Sequence, residues 1–159
     1  MKFNDIQRIE YECFCGAFGV GECLYLYKKK YIIYANGKML IAYYKKGCKL
    51  PCRKMLFCIE SAVVRKLFWK IRFLAHHANM NLVCADDCGS KLKIYYCCEN
   101  YEVYYRGLAI GIFVKEETLS KSSLKRIIFL ESILQKFVLK YGDGKPLYNY
   151  DFSKEKPSA

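Results

Sequence analysis

The chain has 159 residues, 53 % of them hydrophobic, and a formal charge of +12. That is enough apolar material for one core or two packed repeats, too little length for two independent domains, and too apolar a composition for disorder. No apolar run approaches the roughly eighteen residues of a membrane span, and the opening MKFNDIQRIE lacks the charged-then-apolar design of a secretion signal, so a cytoplasmic protein is expected.

Residues 8–15 (RIEYECFC) alternate loosely and run into a glycine-rich turn at Gly16, Gly19 and Gly21, which predicts a strand and a turn. Two further strands are expected at 22–28 (ECLYLYK) and 31–35 (YIIYA), both rich in aromatic and β-branched types. Asn36-Gly37 is the dipeptide that closes a two-residue hairpin, with 38–45 (KMLIAYYK) as the return strand. Past Gly47 and Pro51 the apolar period lengthens. Leu56, Ile59, Val63, Leu67 and Ile71 then fall on one stripe, which predicts a helix of about twenty residues from about Lys54.

After His76 and His77 the order starts again. Strands are expected at 81–85, 91–98, 101–106 and 108–115, and a final helix after Ser120, Ser122 and Ser123, with Ile127, Leu130, Leu134, Phe137 and Tyr141 facing inward. From Gly142 the composition is turn-like and then charged, which predicts a tail that drapes or frays. Moving the second half back by seventy positions sets Gly89 on Gly19, Tyr95 on Tyr25, Tyr101 on Tyr31, Tyr104 on Tyr34 and Gly107 on Gly37. The identities are few, but four strand signals and a helix recur in order. The expected fold is therefore α+β, a tandem ββββα repeat of antiparallel meander sheets, each closed by a long helix. The first unit spans 1–78, the second 79–141, and the tail 142–159.

Charge is distributed unevenly. Residues 1–78 hold fifteen Lys and Arg against five acids, while 79–159 hold twelve against ten. From Cys23 to Ile59 there are nine basic residues, Lys28, Lys29, Lys30, Lys38, Lys45, Lys46, Lys49, Arg53 and Lys54, and no Asp or Glu. Tyrosines are threaded through the same stretch. A one-sided positive field beside π faces suits a polyanion with stackable bases, so RNA or single-stranded DNA is the expected partner, and no membrane. The basic run would hold phosphates, with Tyr25, Tyr27, Tyr31, Tyr95 and Tyr101 as stacking rings. Duplex DNA fits less well, because the aromatics cluster in strands and no recognition helix is evident.

Two units of about seventy residues, each a four-stranded meander closed by a helix, resemble the Whirly and PUR-repeat family of single-stranded nucleic-acid binders over residues 8–141. The likeness is one of element order. It implies sheets that present aromatic and basic side chains to single strands, with helices packed behind.

Other chemistry is weakly signalled. Ten cysteines with no secretion signal read as reduced thiols, mostly buried. Cys48 and Cys52, with Cys84 and Cys88, form two Cys-x-x-x-Cys pairs that could supply four thiolates to zinc, although no cofactor is expected. His76 and His77 could be joined with Asp86 and Asp87 into a hydrolytic site, but the helix dipole is a sufficient reason for histidines at a helix end, and a non-enzymatic protein is expected. Arg65, Lys66, Lys70 and Arg72 beside Trp69 make the first helix basic, as a solvated face, an acidic-partner dock or an extension of a nucleic-acid track. Lys-, Ile- and Asn-rich usage suggests an AT-rich genome or a mobile element. An alternative role is thus a phage-type inhibitor, such as an anti-CRISPR protein, that grips a host nuclease or its guide RNA.

Overall fold

Alternating apolar and polar residues lay down six strands in the computed structural model, which describes residues 5–19, 22–45, 48–75, 88–97, 101–107 and 121–144. In chain order these are β1 (Ile6–Gly19), β2 (Glu22–Tyr34), β3 (Lys38–Lys45), β4 (Arg53–Cys58), helix α1 (Ser61–Ala75), β5 (Cys88–Tyr96), β6 (Tyr101–Gly107) and helix α2 (Lys121–Tyr141). The strands form one sheet in the order β4-β3-β2-β1-β5-β6, antiparallel at every junction. The expected α+β class, antiparallel sheet and two long helices are therefore present. No helix among the described residues is long and apolar enough to cross a membrane.

The elements differ from expectation in four places. First, 22–28 and 31–35 are one strand, because Lys28, Lys29 and Lys30 contain nothing that breaks a strand and pair in unbroken register with β1 and β3. Second, residues 53–58 are a strand. Met39↔Phe57, Ile41↔Met55 and Tyr43↔Arg53 pair across β3 and β4, so a period of two prevails where a helical stripe through Leu56 was expected. The helix starts only at Ser61, where the Glu60 carbonyl accepts the Val63 and Val64 amides. Third, the Asn36-Gly37 hairpin has three loop residues. The Gly37 amide donates to the Tyr34 carbonyl at 3.0 Å and Gly37 takes φ 94°, the turn-plus-bulge form of hairpin. Asn36 Oδ1 accepts the Lys38 amide at 3.1 Å. Fourth, β1 pairs with β5, so the described strands of both halves share a single sheet. The seventy-residue offset lays β5 and β6 together onto β2, so element spacing does not repeat in that register. The expected strands at 81–85 and 108–115 lie outside the described residues.

Alternation divides the sheet into two faces. Ile9, Tyr11 and Cys13 of β1, Lys29, Tyr31 and Ile33 of β2, Met39, Ile41 and Tyr43 of β3, and Leu92 and Ile94 of β5 are buried on one of them. Both helices cover that face. Val64, Leu67, Phe68 and Ile71 of α1 join Leu130, Leu134, Phe137 and Val138 of α2 in a single cluster with the strand residues. Each such side chain contributes about 1.5 to 3 kcal/mol of transfer free energy. The inner face of α2 matches the stripe expected from its sequence at every described position.

Two polar contacts fix α2 on the sheet. The buried Glu131 carboxylate accepts hydrogen bonds from Ser90 Oγ at 2.9 Å, Gln135 Nε2 at 3.3 Å and the Tyr11 hydroxyl at 3.5 Å, which ties the helix to β5 and β1. Just past the helix, Asp143 forms an ion pair with Lys29 Nζ at 2.9 Å and accepts a hydrogen bond from the Tyr43 hydroxyl. The first residues of the expected loose tail are thus anchored in the core, because Lys29 offers a buried cation that only a carboxylate there can neutralise.

Candidate nucleic-acid interface

The second face of the sheet carries no helix among the described residues. Strand register places Arg8, Glu10 and Glu12 of β1 beside Lys28, Lys30, Ile32 and Tyr34 of β2. On one side follow Leu40, Ala42 and Tyr44 of β3 and Lys54 and Leu56 of β4, with Lys38 opposite Cys58. On the other side come Lys91, Lys93 and Tyr95 of β5, then Tyr101 of β6 opposite Tyr95. The described part of this face thus bears seven cations, Arg8, Lys28, Lys30, Lys38, Lys54, Lys91 and Lys93, against the carboxylates Glu10 and Glu12.

Those two carboxylates organise the centre. Lys30 Nζ lies 3.5 Å from Glu10 and 3.8 Å from Glu12, Lys28 lies 3.9 Å from Glu12, and Arg8 lies 3.8 Å from Glu10. Glu10 also accepts the Tyr95 hydroxyl at 3.3 Å. Positive charge is therefore partly compensated in the middle of the face and least compensated toward the β3–β4 edge, where Lys38 and Lys54 are exposed.

The β5–β6 end holds an aromatic and cationic cluster. The Arg8 guanidinium covers one face of Tyr95 at 3.7 Å, and Lys93 Nζ lies 4.9 Å from the Tyr95 ring and 4.0 Å from the Tyr101 ring. The two rings are 6.0 Å apart, and Tyr101 is 57 % exposed. The hydrogen bond to Tyr95 raises the Lys93 pKa above the ordinary lysine range. At the other end Lys28 Nζ sits 4.2 Å from the Tyr44 ring, whose hydroxyl is pushed above the usual tyrosine range mainly by burial.

Among the residues expected to bind nucleic acid, four are corrected by their position on the helix-covered side. Lys29 and Tyr31 are fully buried on the helix-covered face, because the alternation that brings Ile33 inward also brings them inward. Lys29 is consumed by Asp143, and the Tyr31 ring packs against Tyr11 with centroids 6.1 Å apart. Arg53 is also on that side. Its guanidinium lies 5.5 Å from the Tyr43 ring and donates to Met55 Sδ at 3.1 Å. Lys45 shares the side of Tyr43 by alternation and is half-buried. Lys49 is exposed in the connection between β3 and β4. Tyr25 and Tyr27 belong to β2, but their side chains lie outside the described residues, as does Lys46. Lys28, Lys30, Lys38, Lys54, Tyr95 and Tyr101 are the expected residues that the open face brings together.

Sequence reading missed Arg8, Tyr34, Tyr44, Lys91 and Lys93. The signal was there in the alternation of RIEYEC and KLKIYY, whose apolar members point to the helices and whose charged members point away.

The thiol and imidazole candidates do not form a centre among the described residues, where no group of three or more potential ligands gathers. Cys48 is exposed, and Cys52 is half-buried with its Sγ donating to the Tyr43 carbonyl at 3.3 Å. Cys84, the side chain of Cys88, His76, His77, Asp86 and Asp87 lie outside the described residues. No protein-family model matches the chain, and no curated protein is similar to it in sequence.

Proposed function

We propose that the protein is a non-enzymatic binder of single-stranded nucleic acid that uses the open face of its sheet. One observation carries this reading: an antiparallel surface that among the described residues carries no helix and bears seven cations against two carboxylates, with the exposed Tyr101 ring beside Tyr95, Lys93 and Arg8. Phosphates would be held by Lys38 and Lys54 at one end and by Lys91 and Lys93 at the other, and a base would stack on Tyr101. A flat aromatic surface suits a strand whose bases are unpaired, since a duplex hides its π faces. The tandem ββββα reading belongs to the same proposal. Four antiparallel strands and a helix in the first half, and the antiparallel β5–β6 pair and a helix in the second, support it.

The test is fluorescence anisotropy with a labelled single-stranded oligonucleotide and its duplex, repeated at rising salt. Affinity should favour the single strand and fall steeply with salt, by roughly one unit of log–log slope per phosphate neutralised. Tyr101→Ala should cost about 1 to 3 kcal/mol if a base stacks there. Absence of binding at low salt, or equal affinity for single strand and duplex with no loss in Tyr101→Ala, would overturn the proposal.

A further inference from the structure

An amphipathic helix buries one stripe and offers water a polar one. Helix α1 buries Val64, Leu67, Phe68 and Ile71, yet Trp69 and Phe73 stand on its opposite side, 70 % and 67 % exposed. Their rings are stacked, with centroids 6.3 Å apart and planes 14° from parallel. At 3.6 residues per turn the pair occupies the middle of the outward face, with Arg65 and Arg72 along one flank and Lys66 and Lys70 along the other. The helix contains no acid. Beside Trp69 lies a groove of about 340 Å³ whose apolar walls are Ile6, Ala35 and Phe68 and whose rim carries Arg65, Arg72 and Asp5. Arg72 and Asp5 are 3.6 Å apart at that rim.

We propose that this outward face of α1 docks an acidic polypeptide segment of a partner protein. One apolar or aromatic side chain of the segment enters the groove against Trp69, and its carboxylates meet the two basic flanks. Charge complementarity selects this occupant, since an acid-free helix face attracts a polyanionic chain and repels a second copy of itself. The groove favours an inserted side chain over a flat bilayer. Its apolar walls of Ile6, Ala35 and Phe68 also suit an aliphatic or aromatic side chain better than the polar edges of a base. Two exposed aromatic rings ringed by cations fit the usual anatomy of an anchor site, an apolar centre within a charged rim. The surface lies on the helix side of the sheet and is independent of the strand face proposed for nucleic acid.

Trp69 is the sole tryptophan, so its emission reports on this site alone. Random peptides displayed on phage are selected against the full chain, and synthetic versions of the enriched sequences that lack tryptophan are titrated while the Trp69 emission is followed. The expected result is enrichment of Asp and Glu around a Leu or Phe, and a blue shift on binding as the indole leaves water. Labelled peptide should bind at least tenfold more weakly to Trp69→Ala, to Phe73→Ala and to the double charge reversal Arg65→Glu with Arg72→Glu. All three variants should keep the circular dichroism of the parent and its affinity for a single-stranded oligonucleotide. The proposal is overturned if the selected peptides carry no acidic bias or if their binding ignores these substitutions. It is equally overturned if Trp69 emission responds to oligonucleotide or to anionic phosphatidylserine vesicles and not to peptide, which would assign the face to nucleic acid or to a bilayer.

Discussion

Lys29→Met separates a structural lysine from a phosphate-binding one. Methionine keeps a long flexible stem but removes the charge, taking from Asp143, whose side chain is only 5 % exposed, the ammonium that it pairs with at 2.9 Å. Removing one partner of a buried ion pair costs about 3 to 5 kcal/mol, a large share of the roughly 5 to 15 kcal/mol that holds a domain together. At about 2 to 4 °C per kcal/mol for a chain of this size, the melting temperature should fall by about 6 to 20 °C. Pairing the change with Asp143→Leu removes the buried carboxylate as well and should recover much of the loss, because burying one charge of a pair costs more than the pair itself contributes. Thermal unfolding followed by circular dichroism, with a urea series to confirm an unchanged slope, reads both effects. Oligonucleotide affinity at a temperature where the variant is folded should match the parent. A melting temperature within about 2 °C of the parent, together with weakened oligonucleotide binding, would refute the reasoning and return Lys29 to the binding surface.

Three other perturbations test separate parts of the structure. Gly37→Ala should destabilise by about 1 to 3 kcal/mol in urea unfolding, since φ is 94° there and a Cβ would run into the Ile59 carbonyl oxygen; an unchanged midpoint would contradict the hairpin geometry. Glu10→Gln and Glu12→Gln each release lysines on the open face, so anisotropy should show tighter oligonucleotide binding and a steeper salt dependence, whereas weaker binding would mean that the carboxylates contact the ligand. Tyr44 keeps its proton in the folded protein beyond the pH at which the unfolded chain loses it, with burial the main cause, Glu12 and Glu10 adding to it and Lys30 opposing. Its contribution is therefore complete below about pH 10 and is lost as pH rises through the raised folded value, so urea midpoints of parent and Tyr44→Phe should diverge only above about pH 10.

The legible parts of this fold are those set by local pattern. KMLIAYYK, apolar and bounded by turn signals, is β3, Asn36-Gly37 is a hairpin corner, and the stripe Leu130, Leu134, Phe137 is the buried side of α2. In the stretch around Lys54 to Ile59, Leu56 and Ile59 fit a helical period as well as a strand one. Over six residues, local pattern cannot choose between them. Pairing of Met55 and Phe57 with Ile41 and Met39 decides it, and that pairing depends on β3 offering an open edge. The site shows the same division. Tyr95, Tyr101, Lys38 and Lys54 can be named from composition, whereas Lys29 and Tyr31, named with them, face the helices because 22–34 is one continuous strand whose alternation carries both inward.

What the sequence determined alone was an α+β chain with a surplus of cations in its first half and tyrosines in its strands, since composition and period are properties of the chain and survive any folding. Only the tertiary structure decided which of those cations meet solvent. By running down the middle of the sheet, β1 sets Glu10 and Glu12 beside Lys28 and Lys30 of β2, so a basic run in sequence becomes a partly neutralised centre in space. By ending over the sheet, α2 delivers Asp143 to Lys29 and takes that charge out of the surface altogether. Coulomb energy depends on distance through space and on burial, and neither can be read from separation along the chain.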